Sequence, residues 1–390
     1  MKEAFLYNIP TKVYFGKNQL GNLGKELSKY GKKVLLCYGG GSIKKSGLYD
    51  QITAEVKAAG LELFELSGIE PNPRVASVNA GADICKKEGI DVLLAVGGGS
   101  VLDCAKFIGA AAFYDGDGWD ISIGKVKAEK CLPIITVLTL AATGSEMDAG
   151  GVITNPETKE KVGMAYPVMQ PKVSFLDPTL TYSVSKYQTA CGAADILSHI
   201  WETYFNESGK SMYMLDRFME GLMKTVIQYT PIALAEPDNY EARANLMWTS
   251  SWAINGFARA CQTCAWSCHP IEHELSAFYD ITHGLGLAIL TPRWMQYVLD
   301  DESAPKFKEY GVNVWGIDPS LPDKEAAEQA IAKTAEFLFD TLGLSRTLTE
   351  IGIDETHFDE MAKKACNGGV LKGFRPLMQE DIRKIYEMCL

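Results

Sequence analysis

The stretch DVLLAVGGGSVLDCAKFIGAAAFY, residues 91–114, decides the fold. An apolar run from Val92 to Val96 has the length and composition of a buried strand, three glycines stop it, and an apolar helical segment follows with no spacer. Strand, tight turn and helix in that order form half of a βαβ unit. Working outward, Lys33 to Tyr38, Leu61 to Leu66 and Ile134 to Thr139 read as further strands. Ser77 to Glu88 reads as an amphipathic helix with a Lys-Lys-Glu-Gly exit. The alternation predicts a parallel sheet with crossover helices.

The texture changes after Asp177-Pro178. Long helical patterns follow at Met212 to Tyr229, Asn239 to Ala260 and Asp323 to Leu342, with few strand-like runs. A chain of 390 residues is long enough for two cores. The expected fold class is an α/β N-terminal Rossmann-like domain, residues 1–182, plus an all-α C-terminal domain, residues 183–390, joined where Pro, Thr and Ser interrupt the apolar rhythm. There is no internal repeat and no low-complexity tract.

Composition narrows the function classes. Apolar residues make up 47% and charged residues 22%, which suits a packed protein and not a disordered one. A formal net charge of −11 argues against a nucleic-acid partner, because phosphate binding needs clustered Lys and Arg. The N-terminus MKEAFLYNIPTKV carries Lys2 and Glu3 and no apolar h-region, so it does not read as a signal peptide. Asp103 and Lys106 interrupt the most apolar region, so no membrane span is expected. The expected location is the cytoplasm, with the 10 cysteines reduced.

Two glycine clusters follow predicted strands. Gly39-Gly40-Gly41-Ser42 ends KVLLCY, and Gly97-Gly98-Gly99-Ser100 ends DVLLAV and opens a helix whose first N–H groups would face an anion. Neither matches G-x-G-x-x-G or a P-loop. One such cluster is most simply a tight turn. Two of them, with a third Gly/Ser/Thr-rich stretch at TLAATGSEMDAGG (139–151), suit a dinucleotide outside the carboxyl ends of the strands. The first turn lacks the acidic residue that accepts a ribose 2′-OH, while Ser42, Lys44 and Lys45 could meet a phosphate. Both NAD and NADP remain open, and the lysines also fit a solvated helix start.

Asp195 and His199 stand at i, i+4 in TACGAADILSHIWETYF, one turn apart on one helical face. His269 and His273 repeat that spacing in CHPIEHEL, and His283 follows. A lone histidine is usually a hydrogen-bonded core residue. Here four of the 5 histidines fall in two clusters, one beside an aspartate, which is the pattern of a divalent metal site with a position left open for catalysis. The residues alone do not say which clustered histidine is left over. Cys261, Cys264 and Cys268 are the rival, a C-x2-C-x3-C run. Their i, i+3, i+7 spacing reads better as a packing stripe on one helical face, with Cys268 a thiol near the metal.

With these residues assembled, the chain resembles the group III, iron-containing alcohol dehydrogenases. The resemblance runs from IPTKVYFGK (9–17) through YGGGSIKKSG, PNPR, VGGGSVLDCAK, AATGSEMD, ADILSHIWE, YEARANLMW and HPIEHELSAFYDITHGLGLAILTPRW to LGLSRTL and GIDE. It implies metal ligands at Asp195, His199, His269 and His283, holding one iron or zinc ion. It leaves His273 as an unliganded, catalytic histidine. Implied NAD(P)H contacts are Gly39, Gly40, Gly41, Ser42, Pro71, Asn72, Gly97, Gly98, Gly99, Ser100, Asp103, Thr139, Thr143, Ser145 and Lys161. The chain departs from the common Thr-Thr-Ala-Gly pattern with Thr139-Leu140-Ala141-Ala142, which loses a second Thr contact.

The resemblance further implies an aldehyde or alcohol substrate, in the butyraldehyde and butanol range, and a homodimer or larger assembly. Trp248, Trp252, Phe257, Trp266 and Cys268, near the ligand segments in sequence, suit a short aliphatic chain or simple core packing. The alternatives are a polyol dehydrogenase of the same fold and a non-catalytic, cysteine-based metal or redox sensor.

Overall fold

The structure, a computed structural model, describes residues 4–206, 212–260 and 264–390. The chain divides into two compact units at Val184 and Ser185, and residues 4–7 group with the second unit, where the Tyr7 ring meets Phe257 edge-on.

The first unit contains β1 (Lys12–Phe15), α1 (Leu23–Leu27), β2 (Lys33–Tyr38), α2 (Ser42–Lys45), α3 (Leu48–Ala58), β3 (Glu62–Leu66) and α4 (Val75–Glu88). It continues with β4 (Val92–Gly97), α5 (Gly99–Ala111), α6 (Gly118–Ser122), β5 (Ile134–Leu138), β6 (Gly150–Asn155), β7 (Glu160–Ala165) and β8 (Val173–Leu176). Six strands form a sheet in the order β1-β8-β5-β4-β2-β3, with every pair parallel. The central strand β4 is buried along its whole length, which is why it reads as a continuous apolar run with no alternation. Leu23, Leu36, Ile52, Leu94 and Val137 belong to the core on one side of this sheet.

β2 has β3 on one side and β4 on the other, so chain order reverses between β2 and β4. Such a switch point opens a crevice beyond the carboxyl ends of the two strands. Both glycine turns leave from those ends: Tyr38 is in register with Val96, and the turns begin at Gly39 and Gly97.

Four strands escaped the sequence reading. β1 and β8 are only 4 residues each, and β6 with β7 forms a separate antiparallel hairpin. Four residues are too few for a periodic signal, and the hairpin strands GGVITN and EKVGMA are neither continuous apolar runs nor strongly alternating ones.

The second unit is helical: α7 (Lys186–Tyr204), α8 (Tyr213–Ala235), α9 (Tyr240–Ile254), α10 (Cys268–Tyr279), α11 (His283–Val298), α12 (Ala304–Tyr310), α13 (Asp323–Glu336), α14 (Phe358–Ala365) and α15 (Gln379–Glu387). Ser185 starts α7 by accepting from the Gln188 N–H at 3.2 Å, and Asn239 starts α9 by accepting from Ala242 N–H at 3.0 Å. α8 runs through Pro231 to Ala235, past the expected end at Tyr229. α9 stops at Ile254, before the expected Ala260. After α13 the backbone widens into a π turn over Phe337–Thr341. Among the described residues no helix is long and apolar enough to cross a membrane.

The cysteine stripe is corrected. Cys264 lies in irregular chain and Cys268 is the first residue of α10, so these two do not share a helical face; Cys261 lies outside the described residues.

Candidate metal centre and nucleotide turns

From Thr189 to Tyr204 every residue of α7 is buried, so its polar side chains face protein and need partners there. Asp195, His199 and Glu202 stand at i, i+4 and i+7, a stripe of titratable side chains along the buried part of the helix. α10 brings His269, and α11 begins at His283.

One oxygen gathers the group. Asp195 Oδ1 lies 3.6 Å from His199 Nε2, 3.9 Å from His269 Nε2 and 3.8 Å from His283 Nε2. Four donors at bond lengths of about 2.0–2.2 Å in a tetrahedron would stand roughly 3.4 Å apart, close to these three distances, and Asp195, His199 and His269 lie near enough to one another to share a divalent ion. One carboxylate oxygen and three imidazole nitrogens suit iron and zinc alike. His199 titrates well below the usual imidazole range, because burial and then its neighbours His269 and Arg259 disfavour a charge; it is neutral, as a ligand must be.

Behind two of the imidazoles stands a buried carboxylate. Glu202 Oε1 faces His269 Nδ1 at 3.2 Å, and Glu272 Oε2 makes a short contact with His283 Nδ1. Such a partner holds the proton on Nδ1 and turns Nε2 toward the metal. Ser276 Oγ donates to the other oxygen of Glu272. Burial raises Glu202 to about 7, against backbone N–H groups that pull it down. Sequence reasoning missed both glutamates, and the helical spacing of Glu202 from Asp195 was the available signal.

His273 sits beside the group. Its ring is 6.3 Å from His269 and 5.6 Å from His283, centroid to centroid, and its ligand atoms group with Glu272 and His283. His283 groups with Glu272 and His273, its Nδ1 engaged by Glu272, while its Nε2 lies 3.8 Å from Asp195 Oδ1.

The apolar set divides. Trp266 lies 4.4 Å from the His269 ring and 5.5 Å from His199, against the site. Trp248, Trp252 and Phe257 instead form an edge-to-face cluster with Phe218. Cys268 is 3% exposed and its thiol is pushed well up by burial, while burial takes Cys264 to about 11. Neither is a ready thiolate, and neither joins the ligand groups among the described residues.

In the first unit, Gly98 precedes the first turn of α5 with no side-chain cap, leaving N–H groups for an anion. A Cβ on Gly99 would fall 2.4 Å from the Thr143 side chain, so glycine is what lets the 139–145 loop lie on this turn. Thr139 N–H bonds Gly97 carbonyl at 3.0 Å. Asp103 accepts from Ser145 Oγ at 2.6 Å and from Val152 N–H at 2.9 Å, and burial raises it to about 6. It braces α5 to β6.

Gly39 packs on the loop carrying Pro71 and Asn72, its carbonyl accepting from Gly68 N–H at 3.2 Å. Asn72 is buried with φ 51°, Thr154 N–H bonds Pro73 carbonyl at 2.8 Å, and Thr154 pairs with Lys161. Lys44, one of the two lysines at the first turn, lies 4.7 Å over the Tyr49 ring and 5.2 Å over Tyr38, both of which donate to Glu65.

A switch-point crevice with glycine turns, together with a helical unit holding a His₃-carboxylate cluster, defines a metal-dependent, nucleotide-linked oxidoreductase. Residues 10–178 match the family described as iron-containing alcohol dehydrogenase, and residues 189–390 match the C-terminal region of the Fe-containing alcohol dehydrogenase family. The chain is 51% identical over 385 residues to NADH-dependent butanol dehydrogenase B of Clostridium acetobutylicum, covering 98% of each. It is 37% identical to the NADPH-dependent aldehyde reductase of Escherichia coli, again covering 98% of each. Its fold matches the crystal structure of NADH-dependent butanol dehydrogenase A from Thermotoga maritima with a TM-score of 0.94 and 39% identity, over 100% of this chain and 99% of that one. The chain belongs to the iron-containing alcohol dehydrogenase family. It is an NAD(P)H-dependent enzyme that moves a hydride between a nicotinamide cofactor and an alcohol or aldehyde.

Proposed function

We propose that the physiological substrates are short-chain aldehydes and primary alcohols of the butyraldehyde and butanol type, with the metal held by Asp195, His199, His269 and His283. The observation that carries the site is the convergence of three Nε2 atoms on Asp195 Oδ1 within 3.6–3.9 Å. The substrate range rests on the similarity to enzymes named butanol dehydrogenases and on Trp266, an apolar wall beside the ligand rings.

A bound iron or zinc ion supplies a Lewis acid for the carbonyl oxygen, and NAD(P)H supplies the hydride. Asp195 contributes the one negative charge among the four proposed ligands. Glu202 and Glu272 keep Nε2 of His269 and His283 turned inward. His273 hands a proton to the alcohol oxygen, directly or through water. Gly97 to Ser100 cradle the pyrophosphate, with Gly39 to Ser42, Pro71, Asn72, Asp103, Thr139, Thr143, Ser145 and Lys161 completing the cofactor site. The protein is proposed to act in the cytoplasm as a homodimer or larger homo-oligomer.

The test compares a His269→Ala/His283→Ala variant with one carrying Ser at Cys261, Cys264 and Cys268. Bound metal and butyraldehyde-dependent NAD(P)H oxidation are both measured. Loss of both in the histidine variant alone supports the site. Loss only in the cysteine variant refutes it, and equal rates with all aldehyde lengths refute the short-chain preference.

A further inference from the structure

We propose that Glu202 is a positioning residue that holds His269 in metal-binding geometry by capping the N-terminus of α10 from α7. The inference rests on the reading of Asp195, His199, His269 and His283 as ligands.

α10 starts without a cap of its own: Ser267 precedes it and makes no side-chain cap bond. The N–H groups of a first helical turn have no partners within the helix and must find them elsewhere when buried. Glu202 provides them from another helix. Its Oε2 accepts from Ser267 N–H at 2.7 Å and its Oε1 from His269 N–H at 2.8 Å. The same Oε1 faces His269 Nδ1 at 3.2 Å. One oxygen therefore fixes both the backbone and the ring of His269, which settles where Nε2 points and keeps the proton off it. The Glu202 backbone carbonyl accepts from Cys264 Sγ at 3.2 Å, tying down the segment that leads into α10.

The same carboxylate is 4% exposed and sits on α7 two turns after Asp195 and one turn after His199. A single side chain thus registers α10 against the helix bearing two of the proposed ligands. A negative group at a helix N-terminus is favourable in any protein. The bond to Nδ1 is what makes this one specific to the site.

Glu202→Gln keeps the shape but sets an amide NH₂ against Ser267 N–H or against the His269 donors. The experiment uses the full-length chain, prepared metal-free and titrated with Zn²⁺ in competition with a chromogenic chelator. Thermal midpoints are read with and without Zn²⁺. The expected result is a loss of about 10- to 100-fold in Zn²⁺ affinity, with a smaller metal-dependent rise in midpoint than in the wild type. A merely structural cap would lower the metal-free and metal-loaded midpoints together and leave affinity unchanged, which would overturn the proposal. Where Glu202→Gln does not fold, Glu202→Asp keeps a carboxylate facing the start of α10 but draws it back by one methylene from the His269 N–H and Nδ1. It is expected to lose affinity in the same range, and wild-type affinity would overturn the proposal. Asp195→Ala separates the two readings. If it abolishes Zn²⁺ binding while both Glu202 variants bind like wild type, only the role of Glu202 falls. If Asp195→Ala binds normally, the ligand reading falls and this proposal with it.

Discussion

His273 follows His269 by one helical turn on α10, yet Asp195 meets the ring nitrogens of His199, His269 and His283. The proposed function therefore gives His273 proton transfer and leaves the metal to the other four residues. His273→Ala is expected to retain bound metal and lower kcat on the order of 10²-fold. Loss of metal in this variant would instead favour the alternative trio of Glu272, His273 and His283. At this scale the sequence discloses Asp195 with His199 and the histidine clusters, because those residue types are rare and their spacing is helical. It hides Glu202 and Glu272. Glutamate is common on helix surfaces, and only the burial of α7 and α10 turns these two into partners of imidazole rings. The cysteines misled by the same route: i, i+3, i+7 spacing means a shared face only where the chain is helical, and Cys264 is not.

At the scale of elements, α11 must lie close to α7 for His283 to reach Asp195, and the residue after His283 makes this possible. A Cβ on Gly284 would stand 2.0 Å from the Cys191 carbonyl oxygen and 2.7 Å from its carbon, both backbone atoms that cannot rotate away. Gly284→Ala should therefore push α11 off α7, destabilise the protein by about 1–3 kcal/mol and reduce bound metal. Gly221 on α8 is the control, with nothing within 4 Å of its Cβ position. Gly221→Ala should gain roughly 0.5–1 kcal/mol through helix propensity and leave metal content alone. Urea unfolding with metal analysis reads both, and equal behaviour of the two variants would contradict the close approach. The strands β2 to β5 were legible within a residue or two because buried parallel strands are unbroken apolar runs. The close approach of α7 and α11 was not, since HGLGLA says only that two glycines are present.

Across the whole molecule, acid acts on the two units through different groups. In the helical unit the proposed ligands must be deprotonated to hold a metal, so acid strips it. In the α/β unit Glu26, 1% exposed, accepts from Lys12 and Tyr14 at 2.7 Å and from Lys29 at 2.6 Å. Burial alone would raise its titration; the three donors overcome this and bring it down to about 2 from an ordinary 4.5. The depressed value means that the unfolded chain takes up the proton first as pH falls. Glu26 therefore stabilises the fold fully above pH 4.5 and loses that contribution between 4.5 and about 2. Since Lys12 and Lys29 are about half exposed, part of the attraction is screened, and Glu26→Gln should cost about 1–3 kcal/mol at pH 7. Urea unfolding of metal-free wild type and variant, followed from pH 7 down to pH 3, should show the difference shrinking below pH 4.5. Because metal is absent from both proteins, a gap that stays constant over that range would assign the acid sensitivity to other groups and remove Glu26 from the account.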